Sequence, residues 1–179
     1  MVFSKKIFPT SSELPLIKEL YEASFPEEER LSWTWMLEMT ISGQAELQAY
    51  YVDRQFCGFT YSLVSPDAYY LLFFAVLAHH QSKGYGTSIL SSITQQVGNR
   101  PVFLVIEPME VSADNYPQRV KRLDFYQRNG YHLTDYLYYE NQEVYQVMTN
   151  QSANHMLAFE KIARQIEDSG IKIRIERKI

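Results

Sequence analysis

The sequence is poor in the residues that mark several specialised functions. It holds a single cysteine, Cys57, among 179 residues. An internal disulfide and a multi-cysteine zinc site are therefore excluded, and a reducing cytoplasm is the expected compartment. Long apolar runs are missing too. The longest extends from Ala68 to Ala78, about half of the ~20 residues that a bilayer-spanning helix needs, so no membrane partner is expected. The basic pair Lys5-Lys6 has no apolar stretch behind it, so no signal peptide is expected. Positive charge is not in excess: 17 Lys and Arg against 21 Asp and Glu leave a net charge of −4. A nucleic-acid partner is disfavoured, because backbone binding depends on concentrated positive charge. Glycine and proline are sparse, at 7 each, and no repeat or low-complexity segment is present.

What the chain has is apolar and aromatic mass. Hydrophobic residues make up 46% and aromatics 15%, with 14 tyrosines, enough for a substantial core in one domain of ordinary size. Residues 2–8 suit a first strand. Ser11 or Ser12 offers a helix cap ahead of Pro15, with Ile17, Leu20, Tyr21 and Ser24 at helical spacing. Ser32 suits the cap of a second helix with Trp33, Met36, Leu37 and Ile41 on one face, stopped by Gly43. Residues 46–64 alternate like a hairpin around a turn at Asp53-Arg54-Gln55. Residues 69–77 do not alternate. Continuous apolarity marks a central strand covered on both faces, and residues 101–106 repeat the signature. Between them lies a helix from Gly84 to Gly98 with Ile89, Leu90, Ile93 and Val97 on one face. Strand, helix, strand is a crossover unit, which predicts parallel strands. A further helix starts at Pro117, with Tyr116, Val120, Leu123 and Tyr126 roughly on one face, and closes at Asn129-Gly130. Residues 131–138 and 143–149 suit a closing strand pair. The whole predicts a three-layer α/β/α arrangement around a mixed sheet. Residues 150–179 form a C-terminal extension: a helix with Phe159, Ile162, Ala163 and Ile166 in a stripe, then alternating Ile171, Ile173 and Ile175. That extension is expected to pack on the core of residues 1–149 or at a homodimer interface, since a lone apolar edge strand invites association.

The segment Val76 to Thr87 carries the most chemistry. It joins a buried strand directly to a helix start, where unpaired N–H groups and the helix dipole favour an anion. Gly84 and Gly86 permit close approach, Lys83 adds a charge, and Thr87 and Ser88 add hydroxyls. The segment lacks G-x-x-x-x-G-K-[ST], so it is not a P-loop, and it lacks the third glycine of the dinucleotide fingerprint. The plain alternative is a tight strand-to-helix turn.

Gln81-Ser82-Lys83-Gly84-Tyr85-Gly86 resembles the Q/R-x-x-G-x-G/A pyrophosphate loop of the GNAT family, the Gcn5-related N-acyltransferases that use acyl-CoA. Val76, five residues before Gln81, and the segment Phe125-Tyr126-Gln127-Arg128-Asn129-Gly130-Tyr131 agree with it, as does Ala23 to Arg30. The resemblance implies an acetyl-CoA-dependent N-acetyltransferase of the acyl-CoA N-acyltransferase fold, acting on a primary amine of a small molecule or peptide, without a metal. It implies that Val76, Gln81, Ser82, Lys83, Gly84, Tyr85, Gly86 and Thr87 bind the cofactor. It also makes Tyr126 the acid that protonates the departing thiolate. Arg119 stands where the family often has Asn, and Arg122 where it has a small residue; either could reach a phosphate or the acidic loop at 107–116.

No carboxylate lies on the central strand. Glu107, at the C-terminal end of the next strand, is the leading candidate for general base; Glu28, Glu29 or a water chain are alternatives. Loops 25–35 and 107–116 would meet the acceptor, and Trp33 and Trp35 either border its pocket or anchor the second helix. His79 and His80 are adjacent on an extended segment and so cannot chelate one metal in the usual way. Cys57 suits a buried structural thiol better than a nucleophile. The alternative function is a CoA-binding regulatory module without transferase activity.

Overall fold

In the computed structural model, which describes residues 1–151 and 155–178, the chain falls into two units. The first comprises Met1–Ser65 and Leu71–Gly98, the second Pro66–Tyr70 and Asn99–Ile179. The first unit contains β1 (Val2–Ile7), α1 (Leu14–Ser24), α2 (Trp33–Ile41), β2 (Ala45–Val52) and β3 (Gln55–Val64). It also holds most of β4 (Tyr69–Val76) and all of α3 (Tyr85–Val97). β1 lies antiparallel to β2 from Val2↔Val52 to Ile7↔Leu47. β2 and β3 form the expected hairpin, with Asp53 at φ 50° and Arg54 at φ 65°, the left-handed pair that a two-residue turn requires. The register shifts between Tyr50 and Tyr51, where Cys57 is the extra residue on β3. Such a bulge bends the strand and re-aims the residues beyond it.

Tyr21 anchors the core of this unit. Its hydroxyl accepts from the Leu31 N–H at 2.7 Å and donates to the Leu31 carbonyl at 3.2 Å. Its ring meets Phe73 edge-on at 4.9 Å and Phe59 at 6.2 Å. α3 is fixed at its far end by Gln96, which donates to Glu46 at 2.7 Å and accepts from Gln48 at 2.8 Å.

Two details differ from expectation. α1 is capped by neither Ser11 nor Ser12. The Ser11 hydroxyl accepts instead from the Phe8 N–H at 2.9 Å, closing the preceding turn, and the helix starts after Glu13 with no side-chain cap. Serine offers both uses, and the local turn wins here. α2 is capped by Ser32 as expected, but it buries Trp35, Met36, Met39 and Thr40, leaving Ile41 69% exposed. Burial of Thr40 is made tolerable by its hydroxyl, which donates to the Met36 carbonyl at 2.9 Å.

The second unit holds β5 (Val102–Ile106), α4 (Tyr116–Arg128), β6 (His132–Glu140), β7 (Glu143–Thr149), α5 (Met156–Ala163) and β8 (Ile173–Arg177). The first two residues of β4 run parallel to β5, Tyr69↔Val102 and Tyr70↔Phe103, as the crossover predicts. β7 is antiparallel to β5 and β6, and β8 is antiparallel to β6 from Tyr136↔Arg177 to Glu140↔Ile173. The strand order is β1-β2-β3-β4-β5-β7-β6-β8, a mixed sheet. Phe159 on α5 packs its ring on Tyr70 at 5.1 Å, Phe103 at 4.9 Å and Tyr138 at 5.8 Å. Ile171 falls outside β8, whose buried residue is Ile173. α4 fully buries no residue, so Val120 and Leu123 are only partly covered and its polar face stays open.

Candidate active site

β4 ends at Val76, and a 3₁₀ turn over Ala78–His80 carries the chain to the loop before α3. Gly58 on β3 is what lets this strand end lie close. A Cβ there would stand 2.4 Å from the Ala75 carbonyl oxygen. The Leu77 N–H in turn donates to the Cys57 carbonyl at 2.8 Å. Gln81 is structural in a way its motif position does not reveal: its side-chain amide donates to the Val76 carbonyl at 3.0 Å, tying the loop to the strand. Its backbone N–H donates to the Ala78 carbonyl at 3.2 Å, so Gln81, expected among the cofactor-binding residues, has its amide already committed within the turn.

Beyond Gln81 the backbone alternates. Ser82 has φ 60° and Gly84 φ 81°, both left-handed. Such alternation turns successive N–H groups toward one concavity that suits an anion. Gly84 is the N-cap of α3, and the first intrahelical bond runs from the Ser88 N–H to the Gly84 carbonyl at 3.1 Å. The N–H groups of Tyr85, Gly86 and Thr87 precede that bond and stand among the unpaired donors of the helix start. Ser82, Lys83 and Thr87 are exposed, and Tyr85 and Gly86 partly so. The whole set predicted to bind a cofactor therefore lies on one short stretch of the first unit.

Sequence reasoning missed His80. It is only 8% exposed, and neither ring nitrogen has a hydrogen-bond partner among the described residues. Its ring lies 4.2 Å from that of His79 and 5.6 Å from that of Tyr85. Burial lowers its pKa, and His79 and Lys83 lower it further. The imidazole is thus neutral at pH 7. No group of three His, Cys, Asp or Glu side chains able to hold a metal occurs among the described residues. Cys57 is buried, and burial raises its pKa, so the thiol is unreactive.

The second unit carries the other candidates. Asn115, Arg119, Arg122 and Tyr126 recur at helical spacing along α4 and its cap, which brings them onto one face. Glu107, just past β5, pairs with Arg122 and accepts from the Asn115 amide at 3.3 Å. Arg119 donates to the Asn115 side chain at 2.7 Å and to the Pro108 carbonyl at 2.8 Å. Both arginines thus address the acidic loop, one of the two destinations open to them. Tyr126 is partly buried, and its hydroxyl has no hydrogen-bond partner among the described residues. Burial pushes its pKa up to about 12; Arg122 pulls against that rise and Glu107 adds to it. The phenol stays protonated across the neutral range and can donate to a developing thiolate. Full proton transfer to a thiolate of pKa ~8.5 would be uphill, so hydrogen-bond donation is the favoured role.

A protein-family model described as the acetyltransferase (GNAT) family matches residues 7–131. The chain belongs to the GNAT acetyltransferase family. No curated protein matches it. Solved structures do. A protein described as a GNAT-family acetyltransferase from Bacteroides thetaiotaomicron superposes with a TM-score of 0.75 at 22% identity, covering 95% of this chain and 99% of that one. An aminoglycoside 6′-N-acetyltransferase complexed with coenzyme A gives 0.61 at 14% identity, with 82% and 95% covered. Arabidopsis thaliana Naa50 with the bisubstrate analogue CoA-Ac-MVNAL gives 0.62 at 14%, with 84% and 98% covered. The family model ends at Tyr131, so β6 to β8 lie beyond it.

Proposed function

We propose that this GNAT protein transfers an acetyl group from acetyl-CoA directly to a primary amine of a small molecule or peptide. The observation that carries the reading is the turn from Val76 to Thr87: Gln81 bonded back to Val76, two left-handed residues, and free helix-start amides after Gly84. These residues fit a pyrophosphate. A Cβ at Gly84 would meet nothing within 4 Å, so the cap faces open space. Ser82 to Thr87 would hold the pyrophosphate through their amides, with Lys83 supplying charge. Bound acetyl-CoA supplies an activated thioester.

Tyr126 would steady the negative charge that develops on the leaving sulfur. Glu107 would accept the proton released by the amine, with Arg122 as its fixed counter-ion. The acidic loops bearing Glu27–Glu29 and Glu110 favour a cationic acceptor. A reducing cytoplasm suits the lone buried thiol of Cys57.

One observation favours the second reading, a CoA-binding module without turnover. Glu107 is committed to Arg122 through one carboxylate oxygen and to the Asn115 amide through the other, so neither oxygen is left without a partner to receive a proton from an amine. Turnover across an amine panel with free-thiol detection separates the two. With an accepted amine, Tyr126→Phe should lower kcat by ~10²–10⁴ and leave acetyl-CoA binding nearly unchanged. A wild-type kcat in that variant would remove Tyr126 from the chemistry.

A further inference from the structure

β8 closes one side of the sheet, and no strand pairs with its far edge among the described residues. Its register against β6 runs without a shift from Tyr136↔Arg177 to Glu140↔Ile173. The bonds just past its ends fix which backbone groups are used. The Lys172 carbonyl accepts from the Asn141 N–H at 2.9 Å, and the Lys178 N–H donates to the Asp135 carbonyl at 2.7 Å. Backbone groups alternate sides along a strand. Those of Lys172, Arg174, Glu176 and Lys178 therefore turn toward β6, and those of Ile173, Ile175 and Arg177 turn toward the open edge. Natural edge strands are commonly blunted by a proline or a bulge, and β8 has neither. Ile173 is 7% exposed and Ile175 half-buried, whereas Arg174 and Glu176 pair with one another in the open.

We propose that two copies of this chain associate through β8, each edge pairing antiparallel with the other about a two-fold axis at Ile175. The charge pattern selects both the partner and the register. With Ile175 opposite its own counterpart, Ile173 meets Arg177 of the second copy and the outward backbone groups are matched. Arg174 then lies directly opposite Glu176 of the second copy, and Glu176 opposite its Arg174. These are positions of the non-hydrogen-bonded kind, where side chains come closest and opposite charges stabilise. The outward groups also permit slips of two residues. One slip sets Arg174 against Arg174 and the other sets Glu176 against Glu176, so repulsion disfavours both. Lys172 and Lys178 face each other just past the ladder and keep it from lengthening. The opposite edge of the sheet offers no such match. β1 carries Lys5 and Lys6 and no acidic residue, so a second β1 finds no opposite charge there. A two-fold contact uses the same edge in both copies, so the assembly closes at a dimer.

The experiment is analytical ultracentrifugation of the full chain, without ligand, over a wide range of concentration. A strand pair of this length lies at the small end of protein interfaces, so a dissociation constant of ~10–100 μM is expected. The wild type should pass from monomer to dimer through that range. Arg174→Glu and Glu176→Arg each set like charges opposite one another at both positions and should weaken association ~10-fold or more. An equimolar mixture of the two variants restores both opposite-charge pairs and should associate about as tightly as the wild type. Both side chains are exposed, and the melting temperature of each variant checks that the fold is kept. A wild type that stays monomeric throughout overturns the proposal. So does a dimer that survives both single substitutions, or a mixture that associates no better than its components. None of these outcomes depends on the acetyl-CoA reading.

Discussion

Gly58→Ala tests whether the close approach of β3 and β4 positions the loop. A Cβ at residue 58 would lie 2.4 Å from the Ala75 carbonyl oxygen, 3.1 Å from the Val76 Cα and 3.3 Å from the Ala75 carbonyl carbon. Ordinary contact begins near 3.4 Å, so the oxygen alone must retreat by about 1 Å. All three atoms are backbone, and no flexible side-chain end can yield. The strands are held here by the Leu77 to Cys57 bond of 2.8 Å, beside the bulge at Tyr50 and Tyr51. Overpacking at a rigid contact costs about 3 kcal/mol, a fall of roughly 6–12 °C in melting temperature for a chain of this size. The damage should reach function, because Val76 holds the Gln81 side chain and hence the loop. Chemical denaturation together with CoA titration measures both effects. Gly43→Ala is the control: its φ of 78° makes alanine strained, but no atom lies within 4 Å, so it should lose about 1 kcal/mol and no CoA affinity. A Gly58→Ala protein within 0.5 kcal/mol of wild type and with unchanged CoA affinity would refute the reasoning.

Phe159→Ala should destabilise by about 3–5 kcal/mol in urea unfolding, since it empties a site packed against Tyr70, Phe103 and Tyr138. The Glu13 pKa is lowered chiefly by its hydrogen bond with Lys5, so the stabilisation is present above the unfolded carboxylate value and is lost as the pH falls through the folded one. Because Lys5 is half exposed, the loss should stay below about 1 kcal/mol, read as a flatter acid limb of the urea midpoint in Glu13→Gln. Ser82→Gly removes a left-handed strain of about 1 kcal/mol and adds chain freedom of similar size, so the melting temperature should hardly move. That freedom must be frozen when a ligand binds, so CoA affinity by calorimetry should fall several-fold; tighter binding would contradict a preorganised loop.

The parts legible in the sequence are those written in local pattern. The unbroken apolar run of β4, the glycine at the start of α3 and the Asn129-Gly130 stop each act within a few residues, and each appears in the structure close to its expected place. Phase errors arise where neighbouring residues are equally apolar. In α2, Trp33 and Trp35 or Thr40 and Ile41 could each face inward, and only the tertiary fit chooses. Ser11 misleads because a serine near a helix start can serve the turn as readily as the helix. The pairing of Glu107 with Arg122 crosses 15 residues, and Gly58 meets Ala75 through the sheet. No local periodicity records such contacts. His80 escapes notice because its neighbour His79 prompts a metal question, whereas its burial is the informative property.

The two charged neighbourhoods are built on opposite principles, and this bears on what each can do. Around α3 the donors are left over: backbone N–H groups at a helix start and the exposed Lys83. An excess of donors is stable in water or against an anion, which is the setting that the proposed pyrophosphate contact needs. Along α4 the charges are closed on themselves. Glu107 meets Arg122, while Arg119 meets Asn115 and the Pro108 carbonyl, so neither guanidinium is left without an acceptor. A closed network holds the loop after β5 in place and puts a neutral pair beside Tyr126. Arg122 and Glu107 act on the phenol in opposite directions, so burial alone sets its acidity. A phenol of that kind can donate to charge as it forms on sulfur without ionising beforehand, which is what a leaving thiolate needs from its neighbour.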